Sequence, residues 1–488
     1  MALFMGAMDA LIMSAAMPTI ITDLGGLSVY SWVYSAYFLS RAVSLPIFGK
    51  LADLFRVRNL FLLSIGIFLS ASVMAGLAPT MNLLIAARVI QGIGAGGNFA
   101  LVYIALTDVA PPGKRAKTLS LASFVWGISS VLGPTLGGFV VTYFSWRWIF
   151  FINVPISLFS MGLIYAFLVE IRGKKEQIHL DIAGVVTLSV AILGLLTIAM
   201  MGGREIRWSS SEALVLCLVT GLAAAGFYVA ERRAREPILA IEFFAIRGFS
   251  VGNLSVFLSS FAIFSLFAYA PLFVQGALGK SPMQVGIAML SLSLGWSLGS
   301  LLLGQVGGRL SRKSAAVAGA LFLLAGSGWT LTFSHLTSMH LCFWAFFLVG
   351  LGMGFVTLAT LLIVQGCMDH TDLGVATSSH QFFRTMGGTV GVGVCGGVAT
   401  GRLNLALGNL STPETAALPA FADTLAMLEG RTELLFQNDF LATLDPHLVM
   451  IFQQVVGEEI RSVFWVVLAA SAVCLLSCLC LPGGNARD

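Results

Sequence analysis

Gly49-Lys50-Leu51-Ala52-Asp53-Leu54-Phe55-Arg56-Val57-Arg58 is a short basic loop after an apolar stretch, and Gly304-Gln305-Val306-Gly307-Gly308-Arg309-Leu310-Ser311-Arg312-Lys313 repeats its pattern late in the chain. Taking about 20 apolar residues per bilayer crossing, the sequence around them predicts helices near 2–21, 30–48, 59–78, 83–108, 117–142, 148–169, 182–202, 212–231, 249–275, 284–304, 315–334, 340–365, 377–401 and 461–481. The first loop follows the second of these fourteen helices and its repeat follows the tenth. Eight helices therefore separate equivalent positions, where two six-helix halves alone would separate them by six. The surplus pair is most simply the seventh and eighth helices. The expected fold is all-α and integral to the membrane: two six-helix pseudo-symmetric bundles, near 1–169 and 248–488, with an inserted pair in a linker near 170–247.

Composition agrees. Of 488 residues, 57% are hydrophobic and 10% charged, against about 25% charged in an ordinary soluble domain. The net charge of +4 is spread over short separate clusters, which excludes a nucleic-acid partner. With fourteen spans, seventeen Lys and Arg fall on the side of the termini and six on the other. The positive-inside rule then puts both termini in the cytoplasm of a multi-pass protein of the cell's inner membrane. Met1 to Pro18 carries no basic residue, so it reads as the first spanning helix and not as a cleaved signal. The seven cysteines are odd in number and lie in or beside apolar runs, and Cys474, Cys478 and Cys480 have no His or carboxylate neighbour. No disulfide framework, metal or cofactor is expected. The connection near 402–460, with eight acids against two arginines, is expected outside, with amphipathic helices over Leu434 to Val456 lying on the outer mouth.

Several motifs then carry a resemblance. They are the Gly49 to Arg58 loop, Leu84-x-x-x-Arg88-x-x-Gln91-Gly92-x-Gly94-Ala95, Gly133-Pro134-x-x-Gly137-Gly138, Trp146-Arg147-Trp148-Ile-Phe-Phe-Ile-Asn153-Val-Pro155, Asp9 to Pro18, and Arg384 with Gly387-Gly388. In this order they resemble the major facilitator superfamily, specifically its fourteen-helix drug:proton antiporter branch. The first-helix motif departs from the branch at Leu11 and Ser14, and the loop at Asp53-Leu-Phe-Arg56-Val57, where the arginine is displaced by one position. The resemblance implies that Arg88 helps relay protons, that Gly133, Pro134, Gly137 and Gly138 form an antiporter hinge, and that Asp53, Arg56 or Arg58, and Asp108 form an inner gate. Helix pinning, plain packing and a topology anchor are the respective alternatives.

The residues also speak for themselves. Asp9 lies about halfway through the first span, and an ionised Asp at that depth costs on the order of 3 kcal/mol. It is a proton-coupling candidate; a permanent ion pair with an arginine is the alternative. Arg41, Arg88 and Arg384 are the intramembrane cations, and Arg88, Arg384 and His380 join Asp9 as proton-coupling candidates. Tyr34, Tyr37, Phe38 and Arg41 fall at i, i+3, i+4 and i+7, one helix face that would line a cavity. Gln91, three residues from Arg88, and Met13, one of three methionines flanking Asp9, join the substrate-binding candidates. His380, four residues before Arg384, is either a titrating group or a hydrogen-bonded packing histidine. The dinucleotide-like Gly92-x-Gly94-x-x-Gly97 and Gly391-x-Gly393-x-x-Gly396, and the elbow-like Gly295-Trp-Ser297-Leu-Gly299, follow no strand and are set aside.

These features predict a proton-driven exporter of amphipathic small molecules, a monomer working by alternating access in the lipid bilayer. Three cavity arginines against one aspartate favour neutral or anionic cargo. A lipid or metabolite transporter with one dedicated substrate, or a membrane receptor or enzyme, are the alternatives; no catalytic cluster or signalling domain is found in the sequence.

Overall fold

The computed structural model describes residues 1–24, 30–111, 114–168, 182–201, 209–234, 241–280, 282–306, 310–369, 372–410 and 443–483. Its helices are α1 (Ala2–Leu24), α2 (Tyr30–Leu54), α3 (Val57–Gly76), α4 (Met81–Asp108), α5 (Arg115–Tyr143), α6 (Trp148–Phe151) continued by α7 (Asn153–Phe167), α8 (Ile182–Met201), α9 (Ser211–Arg233), α10 (Arg247–Leu272), α11 (Pro282–Val306), α12 (Arg312–Thr330), α13 (Met339–Gly366), α14 (Leu373–Leu410) and α15 (Pro446–Leu479). There is no strand among the described residues. Each expected segment falls on one of these helices, with α6 and α7 sharing one. Nine helical segments among the described residues are by themselves long and apolar enough to cross a membrane.

The expected loop after the thirteenth segment needs correction at both ends. α14 runs on to Leu410, and α15 begins at Pro446, where Asp445 caps it by accepting from the His447 N–H at 2.7 Å. Pro446 to Val456 is therefore the first part of a long helix and not a separate helix lying flat. Residues 411–442, including the start of the stretch from Leu434, lie outside the described residues.

The helices form two halves, α1–α7 and α10–α15. In the first, α1 packs on α5, and α4 sits between α2 and α3; in the second, α13 sits between α11 and α12, and α10 packs on α14 and α15. Glycines let α4 and α13 approach two neighbours at once. A Cβ on Gly92 would collide with the Tyr37 carbonyl of α2, and one on Gly94 would lie 2.7 Å from the Ser64 carbonyl of α3. In the second half, a Cβ on Gly350 would collide with the Leu292 carbonyl of α11, and one on Gly352 would meet the Gly319 carbonyl of α12. The other motif-like glycines pack in the same way: a Cβ on Gly295 or Gly299 of α11 would collide with the α13 backbone at Phe347 or Leu351, and one on Gly391 of α14 would meet the Phe261 carbonyl of α10.

The halves meet where α5 packs on α11 and α2 on α14. The inserted helices pack on each other, and α8 also touches both α2 and α14, so it straddles one of the two seams. At the end of the bundle where α1 begins, Gln365 of α13 donates at 2.9 Å to Thr107 of α4 and at 2.9 Å to Thr377 of α14, joining the halves. At the opposite end, Trp146 Nε1 and Arg147 Nη1 both donate to Asp23 Oδ2, at 2.9 and 2.8 Å, fastening the Trp146-Arg147 motif to the end of α1.

Gly350→Ala should lower stability by about 1–3 kcal/mol, because helix backbones must part to admit the methyl group. Gly162→Ala on α7 meets nothing within 4 Å and should gain about 0.5–1 kcal/mol from helix propensity. Thermal unfolding of the two detergent-solubilised variants checks the contrast.

Candidate functional site: a buried ion pair and a two-arginine aromatic cage

Asp9 is fully buried. Its Oδ2 accepts from Arg88 Nη1 at 2.7 Å, and its Oδ1 accepts from Gln91 Nε2 and from Asn153 Nδ2, each at 2.9 Å. The carboxylate on α1 is therefore held by a cation and an amide from α4 and by an amide from the start of α7. Arg88 also donates to Gln91 Oε1 at 2.7 Å and, through Nε, to the Val33 carbonyl at 3.3 Å. Its guanidinium lies 4.0 Å from the centre of the Tyr37 ring, a cation–π contact. Gln91 donates further to Ser72 on α3 at 2.9 Å. Partners for Asp9 thus come from other helices, whatever the first-helix motif has at Leu11 and Ser14. Neighbouring Met5 accepts from the Ser157 hydroxyl at 2.9 Å.

A second centre lies between the halves. The Arg41 guanidinium is 4.2 Å from the Phe99 ring and 5.9 Å from Trp126. Arg384, from the other half, is 5.3 Å from Phe99, 5.6 Å from Trp126 and 4.8 Å from Trp296. It donates at 3.1 Å to the Tyr103 hydroxyl and at 3.1 Å to Gln381 Oε1. Both arginines are buried, and neither has a carboxylate partner among the described residues, whereas Arg88 does. Each cation–π contact is worth about 2 kcal/mol when desolvated, less than the several kcal/mol needed to strip an ion of water.

The structure divides the α2 face. Tyr37 turns toward α1, its hydroxyl donating to the Gly6 carbonyl at 3.4 Å, and joins the Asp9 network, while Arg41 joins the cage. Half-buried Phe38 packs edge-on to Tyr37 at 5.5 Å, and the side chain of Tyr34 lies outside the described residues. Gln91 is placed beside Asp9. Met13 is buried in an apolar cluster with Ile12, Val33 and Leu84. His380 is buried, and its Nε2 pairs with the Thr360 hydroxyl at 2.9 Å.

Among the gate candidates, Arg56 is exposed and Arg58 lies 5.7 Å from the Tyr165 ring of its own half. Asp53 and Asp108 are half-buried. Gly133 and Gly137 are buried in an unbroken α5, while the side-chain positions of Pro134 and Gly138 lie outside the described residues.

Asn153, Ser72, Phe99, Trp126, Trp296, Tyr103 and Gln365 are absent from the sequence-based candidates. Asn153 lies in the Trp146 to Pro155 motif, which signalled it without a role; the others carry no local signal.

The family profile of the Major Facilitator Superfamily matches residues 1–392. A Bacillus subtilis (strain 168) protein named Multidrug transporter protein MdtP is 33% identical over 486 residues, covering 97% of this chain and 90% of that protein. Multidrug resistance protein 3 of the same organism is 32% identical over 401 residues, covering 82% of this chain and 78% of its own length. Two solved structures share the fold at a TM-score of 0.59: the human organic anion transporter MFSD10 (TETRAN), 14% identical with 96% of this chain and 98% of that one covered, and the proton:xylose symporter XylE, 15% identical with 97% and 93% covered. With this family match, these relatives and this helical architecture, the chain belongs to the Major Facilitator Superfamily and is a multi-pass membrane transporter, not an enzyme.

Proposed function

We propose that this transporter is a proton-driven antiporter that exports amphipathic small molecules, favouring neutral or anionic ones. It works as a monomer with fourteen spans and both termini in the cytoplasm, by rocking two halves around a central site. The observation that carries the coupling role is the setting of Asp9, fully buried and held by Arg88 at 2.7 Å and by two amides. Protonation removes the charge that Arg88 and the amide donors hold, which frees α1 from α4 and α7; deprotonation draws them back together. A group that gains a proton on one side and loses it on the other is thereby tied to helix movement. The multidrug relative over nearly the whole chain supports drug-like cargo.

Gln365, bridging Thr107 and Thr377, closes the cytoplasmic end, and Asp53, Arg56 or Arg58, and Asp108 are the gate residues. The Gly133 to Gly138 segment of α5 is the hinge. His380, bonded to Thr360, is a packing residue in this reading.

Pairing of Asp9 with Arg88 leaves Arg41 and Arg384 as the cations at the seam. In a low-dielectric cavity they repel dications and attract an anionic head, with Arg41 as its first contact.

In proteoliposomes, Asp9→Asn should abolish uphill, pH-gradient-driven transport while downhill exchange persists; retained uphill transport would move the coupling role to His380 or Asp108. A transport panel checks the charge preference. Anionic and neutral amphiphiles should outrun dicationic ones, and Arg41→Ala should erase the anion preference.

A further inference from the structure

The seam between the halves carries two positive charges and a set of donors with nothing to receive them. Arg41 belongs to one half and Arg384 to the other, yet both lie over the same two rings, Phe99 and Trp126. Neither has a carboxylate partner among the described residues. Arg41 Nε and the indole N–H groups of Trp126 and Trp296 are buried without an acceptor. The bonds that Arg384 makes, to Tyr103 and Gln381, go to neutral oxygens. Aromatic faces attract a cation but leave its charge uncancelled.

Such a set of donors calls for an acceptor-rich anion. A carboxylate or sulfonate can receive two parallel N–H bonds from a guanidinium, and its remaining lone pairs can accept from an indole N–H. The surroundings also specify the body of the ligand. Trp126 from the first half and Trp296 from the second are nearly parallel, with centroids 6.2 Å apart and planes at 14°. Phe264 packs edge-on against Trp296 at 6.1 Å. Flat apolar faces of this kind favour a flat ring.

We propose that an aromatic carboxylate or sulfonate is the missing group, its head clamped between Arg41 and Arg384 and its ring against Trp126 and Trp296. This rests on the exporter reading only in making that ligand the cargo; the binding itself needs no gradient. The clamp also has a mechanical effect. Closure of the halves brings two like charges together, and an anion between them converts that repulsion into attraction to both sides. Aromatic anions therefore stabilise the closed seam, and cations of the same shape do not.

The test uses the full chain in detergent, titrated with naphthalene-2-sulfonate and with its cationic counterpart naphthalen-2-ylmethylammonium. Calorimetry reads the affinity, and quenching of tryptophan emission, compared with that of Trp296→Phe, reports the location. The sulfonate should bind at least about tenfold more tightly than the ammonium, and Arg41→Gln and Arg384→Gln should each weaken it about tenfold. Arg384→Lys keeps the charge without the fork and should fall between; it replaces the glutamine variant if that one does not fold. Equal or tighter binding of the ammonium, or sulfonate affinity unaltered by these arginine variants, overturns the proposal. A parallel flux assay separates the two readings. Arginine-dependent sulfonate binding without gradient-driven flux leaves the clamp standing and defeats the exporter. Gradient-driven flux of other solutes without such binding does the reverse.

Discussion

A carboxylate buried in the middle of a membrane protein must have its charge answered by the protein, because burial strips it of its hydration. For Asp9 the answer comes from Arg88, Gln91 and Asn153, three donors on two other helices. Moving α1 along its axis by one turn, about 5.4 Å, would strand an ion of each sign, and breaking a buried pair one-sidedly costs about 3–5 kcal/mol. The register of α1, α4 and α7 therefore follows from one interaction. Tyr37 brings α2 into the same arrangement by covering Arg88, which it can do because Gly92 lets α4 lie against the α2 backbone.

The spans were legible because the bilayer imposes a length and a composition that little else imitates. Asp9 and Arg88 were legible for the converse reason, as charges that interrupt apolar runs. Their partners were harder. Asn153 is uncharged and 144 positions from Asp9, and Ser72 is one hydroxyl among many that bond back to their own helix, as it does itself to the Phe68 carbonyl. Helical spacing put Tyr37 and Arg41 on one face but could not say that the face is shared between two neighbours. The cage rings were hidden by abundance: with 36 Phe and 9 Trp in the chain, no local feature distinguishes Phe99, Trp126 or Trp296 from a lipid-facing ring.

The two centres divide the electrostatic work. At Asp9 opposite charges from one half are matched at contact distance, so that site is balanced and buried. At the seam like charges from opposite halves share aromatic faces, so that site is unbalanced where the halves part. The proposed antiport cycle uses both conditions, one group whose charge changes in place and one region whose energy depends on how the halves are set.

α8 touches both halves, and its polar side chains are turned inward upon their own helix. Thr187 bonds to the Ala183 carbonyl at 2.7 Å, Ser189 to Val185 at 2.6 Å and Thr197 to Leu193 at 2.7 Å. What it offers α2 and α14 is therefore mostly a hydrocarbon surface, and sliding such a surface past another breaks no directional bond. The helix is thus a greased cover over one seam, its grip on either half mostly non-directional, whereas the α5–α11 seam has no such cover among the described helices.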